Sequence, residues 1–264
     1  MQASLRGIEF FGLPGSGKTT VAKELLRLLQ EAGVNASFSG ERMSDGAPMA
    51  WRMLRRLEMV AGQSPREIGS YWRGARLIAA YGKGLGDSAH SLWNLISVQA
   101  MAGRHLRGRG LMVVDQGLVQ AVWSARMREK HGDGDGDVGW GALLNDDWLG
   151  QCCFVQVGCN AETAMERLGN RKQRTSRMQR PDRLQELAEW SRGEALVAEL
   201  SGMIEGMLRR KSLANRLIRI RTDDGSSASV QAVKVLESLL QAGGAPAAKN
   251  GPFNAPETSA ITIG

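Results

Sequence analysis

One segment of eight residues constrains this chain more than any other part of it. Residues 12–19 read G-L-P-G-S-G-K-T, a full match to the pattern G-x-x-x-x-G-K-[ST]. An apolar stretch precedes the segment, and residues 18–32, which overlap its end, place apolar side chains at helical spacing. The pattern therefore predicts a glycine-rich loop between a buried strand and an amphipathic helix, the context in which this motif binds nucleotide phosphates.

The chemistry of phosphate binding accounts for the residue types in the motif. Glycines permit backbone conformations closed to other residues, so that successive N–H groups can turn toward phosphate oxygens, and the following helix adds its dipole. Lys18 is expected to reach the β- and γ-phosphates, and the Thr19 hydroxyl to ligate Mg²⁺. The alternative is a glycine-rich turn before a surface helix. The predicted nucleotide-binding residues are Gly12, Gly15, Ser16, Gly17, Lys18, Thr19 and Thr20.

The rest of the chain alternates predicted strands with predicted helices. Strands are predicted at residues 6–11, 35–39, 111–115, 153–157 and 217–221, and helices at 18–32, 116–130, 161–168, 183–210 and 229–241, with a mostly helical region at 47–107. Such alternation predicts a parallel sheet covered on both faces, a three-layer α/β/α domain spanning residues 1–242. Residues 243–264 are rich in Ala, Gly and Pro and are expected to form a disordered tail.

Composition limits the classes of partner and compartment. The formal net charge of +7 favours anionic ligands. No apolar run approaches the roughly 18 residues of a membrane-spanning helix, and the first residues carry no apolar segment typical of a signal peptide. Three cysteines, two of them adjacent at Cys152 and Cys153, fit a reducing compartment, so a cytoplasmic protein with no membrane partner is expected.

A second motif element follows the strand predicted at 111–115. The apolar run L-M-V-V ends in Asp115, a carboxylate that could hold Mg²⁺ directly or through water. A turn or capping role for Asp115 is the alternative. Gln116 follows it, in place of the Glu usual in AAA-type hydrolases, and neither N/T-K-x-D nor an LSGGQ-like signature occurs, which argues against a GTPase and a transporter ATPase.

Four arginines lie close together at the end of the predicted helix at 161–168 and just after it, namely Arg167, Arg171, Arg174 and Arg177. Guanidinium groups can neutralise a transferring phosphoryl group and exclude water from it. A solvated basic face is the alternative. A nucleic-acid interface is not favoured, because the stretch has no interleaved aromatic residues for base stacking.

At this point the chain resembles the P-loop nucleoside and nucleotide kinases, the thymidylate and adenylate kinase group. The glycine-rich loop, Asp115 and the R-x-x-x-R spacing of Arg167 and Arg171 carry the resemblance. It implies a five-stranded parallel sheet of the P-loop kinase type and an arginine lid at about 167–182. It also implies that Arg167 stacks on adenine, that Arg171 and Arg174 reach the phosphates, and that Lys18 and Asp115 take part in catalysis.

The acceptor side of the predicted site is less specific. In that family the acceptor binds in the helical region, here about 45–108, and nucleoside kinases carry a glutamate base where this chain has Glu41. Glu41 or Asp115 is therefore the candidate base, with a plain surface glutamate as the alternative for Glu41. Arg73 and Arg76 are three apart, so they share a helix face and either grip an acceptor anion or are simply solvated.

The expected activity is transfer of the γ-phosphoryl group of Mg·ATP to a small acceptor, such as a nucleoside or nucleoside monophosphate. Thymidylate kinases follow the strand-end Asp with Arg, whereas this chain has Gln116 and Gly117, so a sugar or an antibiotic remains an open acceptor. The rival hypothesis is an ATP-binding regulatory protein in which Gln116 orients water for slow hydrolysis. A homodimer is compatible with either hypothesis.

Overall fold

The computed structural model describes residues 5–39, 85–108, 110–127, 139–144, 146–170 and 187–242, together with residues 58, 60, 62, 69, 71–76 and 78. Several predictions fall outside these residues, so the structure does not bear on them. They concern Glu41, Arg171, Arg174, Arg177 and the tail at 243–264.

Strands and helices alternate along most of the described chain. The strands are β1 (Gly7–Phe11), β2 (Ala36–Phe38), β3 (Leu111–Val114), β4 (Cys152–Gly158) and β5 (Leu217–Arg221). The helices are α1 (Lys18–Glu31), α2 (Leu85–Leu106), α3 (Leu118–Arg126), α4 (Asp146–Gln151), α5 (Ala161–Gly169), α6 (Leu187–Arg210) and α7 (Ala228–Gln241). Residues 71–76 are also helical, and short 3-10 turns cover Trp140–Leu143 and Ala214–Arg216.

The five strands form one sheet in the order β2-β3-β1-β4-β5, and all of its strand pairs are parallel. β1 lies in the middle, with Ile8 paired to Val113 on one side and to Cys153 on the other. This arrangement confirms the predicted five-stranded parallel α/β fold. It also brings the residue that follows each strand to one carboxyl edge of the sheet.

The side chains of β1 alternate between two hydrophobic cores, as those of a strand buried on both faces must. Ile8 and Phe10 pack with α1 and α7 on one face. Phe11 packs on the other face, against a core to which α2, α3, α4 and α6 contribute. Helices therefore cover both faces of the sheet, and Glu9 is a charged residue within this fully buried strand.

The main differences from the predicted elements concern α3 and α4. α3 begins at Leu118 and not at residue 116, because Gly117 is extended and Asp115 and Gln116 complete the turn out of β3. α4 was not predicted, since its six residues are too few to show a helical period. No helix in the described ranges is long and apolar enough to cross a membrane.

Candidate functional site

The glycine-rich loop connects the end of β1 to the start of α1, in the middle of the carboxyl edge of the sheet. Gly12, Gly15 and Gly17 have φ angles of 150°, 88° and 84°, a region that other residues rarely adopt. A Cβ atom would lie 2.3 Å from the Val157 oxygen at Gly12, and 2.3 Å from the Ala164 oxygen at Gly15. The loop thus packs its backbone directly against the backbone of β4 and α5.

Lys18, the first residue of α1, folds back over the loop. Its Nζ donates hydrogen bonds to the carbonyl oxygens of Gly12 (2.8 Å) and Leu13 (2.7 Å), and the residue is only 9% exposed. Gly17 precedes the helix in a left-handed conformation and provides no side-chain cap. The ammonium group is therefore held at the same place as the N-terminal end of the helix.

Thr19 and Asp115 meet at the carboxyl edge although 96 residues separate them in sequence. The Thr19 hydroxyl donates a 2.8 Å hydrogen bond to Oδ2 of Asp115, which is 8% exposed. A hydroxyl and a carboxylate are suitable ligands for Mg²⁺ when phosphates and water complete its coordination. Among the described residues, no group of three or more His, Cys, Asp or Glu is arranged to hold a metal ion.

The first turn of α3 is also tied to the loop. Oε1 of Gln120 accepts a 3.3 Å hydrogen bond from the N–H of Gly12. Gln120 and Asp115 therefore connect the segment that follows β3 to both ends of the glycine-rich loop. No sequence motif marks Gln120, because its partner lies 108 residues away.

A buried carboxylate, Glu9, holds the start of α3 in place. Its Oε1 accepts a 2.6 Å hydrogen bond from the N–H of Val119, and its Oε2 accepts a 2.8 Å bond from the indole of Trp148. Burial raises the pKa of Glu9 to about 7, although these hydrogen bonds oppose the shift. A Cβ at Gly117 would lie 2.2 Å from the Glu9 carboxyl carbon, so the chain passes directly over this group. The only sequence signal for it is an acidic residue inside the apolar run of β1.

The opposite side of the loop contacts the end of β5. Thr222, the first residue after β5, donates a 2.8 Å hydrogen bond from its hydroxyl to the carbonyl oxygen of Ser16. Arg167 donates to the Thr222 hydroxyl (3.0 Å) and to the Thr222 carbonyl (2.6 Å). The guanidinium edge of Arg167 is thus occupied by Thr222, and its predicted stacking on adenine stays a prediction. No sequence motif marks Thr222.

The remaining predicted residues lie at two places. Thr20 is exposed on the first turn of α1, where its N–H donates to the Gly17 carbonyl. Arg73 and Arg76 lie on the exposed side of residues 71–76 together with Trp72, which is 68% exposed. The shared helix face predicted for the two arginines is therefore present, while their contact with an acceptor stays a prediction.

The residues from five parts of the chain thus converge on one loop: β1, α1, the end of β3, the start of α3 and the end of β5. Asp115 and Gln120 approach it from one side, and Thr222 approaches it from the other. No family model matches the chain, and no curated protein matches it significantly.

Proposed function

We propose that the chain binds Mg·ATP on the loop at 12–19 and transfers its γ-phosphoryl group to a small acceptor bearing a hydroxyl or phosphate group. The observation that carries the proposal is the 2.8 Å hydrogen bond between Thr19 and Asp115. It joins the two separate motif elements beside an ammonium group, Lys18, that is turned onto the same loop. Ligands of open α/β sheets bind at the carboxyl ends of the strands where the strand order reverses, and β1 has that position.

The hydrogen bonds of Lys18 support the proposed phosphate binding. The Lys18 ammonium group donates hydrogen bonds to the carbonyl oxygens of Gly12 and Leu13. These neutral acceptors bind it more weakly than charged β- and γ-phosphate oxygens do, so the phosphates can replace them. The loop amides and the N-terminal end of α1 add donors and a positive dipole. Binding thus places the triphosphate along the loop with its γ-phosphoryl group toward Lys18.

Thr19 and Asp115 are the residues that would hold Mg²⁺. When bound, the ion neutralises charge on the phosphate oxygens. The Thr19 hydroxyl, whose proton now points at Asp115, keeps its oxygen lone pairs for a cation. Asp115 already accepts the hydrogen bond from Thr19, and it lies three residues before α3, whose first turn is held by Glu9.

The proposed transfer is in line. The acceptor oxygen attacks the γ-phosphorus, the bond from that phosphorus to the β,γ-bridging oxygen breaks, and ADP leaves. Where the acceptor is a hydroxyl group, its proton passes to a carboxylate, for which Glu41 and Asp115 are the candidates; a phosphate acceptor attacks as the anion and gives up no proton. Arg171 and Arg174 are proposed to neutralise the transferring group.

The test is ADP formation by the purified protein across a panel of nucleosides, nucleoside monophosphates, sugars and aminoglycosides. We expect one acceptor class to stimulate ADP release and to yield a phosphorylated product. Lys18→Ala should abolish that stimulation, whereas the matched control Lys23→Ala, an exposed lysine on the same helix, should retain it. Stimulation that survives in Lys18→Ala would contradict the proposal.

A second candidate function is nucleotide-dependent regulation without an acceptor. Gln116 favours it, because this exposed amide directly follows Asp115 at the carboxyl edge, where a glutamine can orient water for hydrolysis. Such a protein would hydrolyse ATP slowly, no acceptor would stimulate it, and Gln116→Ala would reduce the rate. The kinase proposal expects Gln116→Ala to change acceptor-independent hydrolysis alone.

A further inference from the structure

Thr222, which belongs to neither sequence motif, contacts the glycine-rich loop. We propose that Thr222 is a positioning residue for phosphate binding, because its hydroxyl, oriented by Arg167, holds the Ser16 carbonyl away from the phosphate site and so turns the Gly17 N–H toward it. The inference rests on the proposed function, since it concerns how the same loop presents its amides. It also assigns Arg167 a role, because its guanidinium group contacts Thr222 and acts on the loop through that residue.

The direction of the Gly17 N–H is set by the direction of the Ser16 carbonyl. The carbonyl of Ser16 and the N–H of Gly17 belong to one trans peptide, so the two groups point in opposite directions. The Thr222 hydroxyl fixes that carbonyl at 2.8 Å on the β5 side of the loop. The Gly17 N–H must then point to the other side of the peptide. Glycine-rich loops of this kind bind phosphates through such amides. Without the hydrogen bond from Thr222, the Ser16–Gly17 peptide can rotate and its N–H no longer points toward the phosphate.

The Thr222 hydroxyl takes part in two hydrogen bonds. A threonine hydroxyl has one proton to donate and lone pairs to accept. Arg167 donates to the oxygen at 3.0 Å, which leaves the proton for an acceptor. The Ser16 oxygen at 2.8 Å is a far better acceptor than the Gly158 oxygen at 3.5 Å. The hydroxyl therefore donates to Ser16 while Arg167 occupies a lone pair of the same oxygen, and this arrangement anchors the loop.

Thr222 is itself held in place by burial and by hydrogen bonds of its backbone. Thr222 is 7% exposed, so water does not readily replace its partners. Its N–H donates to the Gly158 carbonyl at 3.1 Å, and its own carbonyl accepts from Arg167 at 2.6 Å. Its methyl group would lie 3.7 Å from a Cβ atom at Gly17. The side chain is thus close to Gly17, and both the N–H and the carbonyl of Thr222 are hydrogen-bonded.

The test compares variants that separate the hydroxyl from the shape of the side chain. Thr222→Val keeps the shape and removes the hydroxyl, Thr222→Ser keeps the hydroxyl, and Thr163→Val is the matched control on α5. Binding of Mg·ATP, of inorganic tripolyphosphate with Mg²⁺, and of adenosine is measured by calorimetry, well below each variant's unfolding temperature. Tripolyphosphate probes the loop without a base, and adenosine probes the base subsite without the phosphates.

We expect Thr222→Val to weaken ATP and tripolyphosphate binding about tenfold, the usual effect of one hydrogen bond, and to leave adenosine binding unchanged. The Thr222→Ser and Thr163→Val proteins should bind Mg·ATP and tripolyphosphate with the affinity of the wild type. Arg167→Leu should also weaken tripolyphosphate binding, which a purely adenine-stacking role would not do.

Three outcomes would overturn the inference or its basis. Wild-type affinity for tripolyphosphate in Thr222→Val would overturn the positioning role while leaving the proposed function intact, provided that Lys18→Ala loses binding. A lower unfolding temperature with unchanged affinity would reduce Thr222 to a structural residue. Failure of the wild type to bind either phosphate ligand would overturn the proposed function and this inference together.

Discussion

The indole N–H of Trp148 donates a 2.8 Å hydrogen bond to the carboxylate of Glu9, although 139 residues separate them in sequence. The other carboxylate oxygen of Glu9 accepts from the N–H of Val119 in the first turn of α3. Asp115, the candidate Mg²⁺ ligand, lies three residues before α3, so the buried carboxylate holds the start of the helix that follows this ligand. A group chosen only for stability would be apolar here, since burying a carboxylate has a desolvation cost.

Glu9 predicts a specific pH dependence of stability. Its pKa rises from 4.5 to about 7 on folding, so between these values the folded protein binds more protons than the unfolded chain. The contribution to the free energy of unfolding is fully present below about pH 4.5, decreases as the pH rises, and is lost above about pH 7. Glu9→Gln should remove this component, on the order of 3 kcal/mol. Urea unfolding at pH 5 and pH 8 measures it, and an unchanged difference in the variant would contradict the assignment.

Asp115→Asn should raise the Mg²⁺ concentration needed for ATP turnover. The amide keeps the size of the side chain but has no charge for the cation, and its oxygen is the weaker ligand. We expect a half-saturating Mg²⁺ concentration at least about tenfold higher, a loss of one charged contact. Rates at varied Mg²⁺ and fixed ATP give this value, with Asp147→Asn on the exposed part of α4 as the control. An equal Mg²⁺ requirement in both variants would rule out Asp115 as a ligand.

Gly15→Ala should damage the loop through steric contact as well as backbone strain. Its Cβ would lie 2.3 Å from the Ala164 oxygen, a backbone atom that cannot move away cheaply. Gly33→Ala is the matched control, because Gly33 has a similar positive φ of 76° and nothing within 4 Å of its Cβ position. We expect a loss of about 1 kcal/mol in unfolding free energy for Gly33→Ala and roughly 2–4 kcal/mol for Gly15→Ala.

Thermal or urea unfolding of the two glycine variants, followed by ATP titration, checks this comparison. Gly33→Ala should retain ATP affinity and Gly15→Ala should lose it. Similar losses of stability in both would show that Ala164 does not restrict the loop.

The sequence predicts the parallel sheet because strands alternate with helices along the chain, and residues 111–114 are apolar throughout, as in a strand buried on both faces. It also predicts Thr19 and Asp115 as ligands of one Mg²⁺, from the loop motif and from a carboxylate that ends an apolar strand, and the two side chains are hydrogen-bonded at the carboxyl edge. Both predictions use local patterns together with one general property of the fold.

Glu9, Gln120 and Thr222 escape prediction for a physical reason. Each side chain takes its role from a partner that is more than 100 residues away, such as Thr222 from Ser16. Local periodicity reports which side of an element is buried, but it does not report which buried polar groups become neighbours. Glu9 shows the limit clearly, because its alternation places it on a core-facing side where an apolar residue is expected.

The central claim is that the loop at 12–19 delivers the γ-phosphoryl group of ATP to an acceptor. The most direct measurement follows ATP labelled in its γ-phosphate, with Mg²⁺ and the acceptor panel, in the wild type and in Lys18→Ala. The account predicts that the label appears in one acceptor class with the wild type and in none with Lys18→Ala. Label found only in inorganic phosphate across the whole panel, or equally in both proteins, would contradict it.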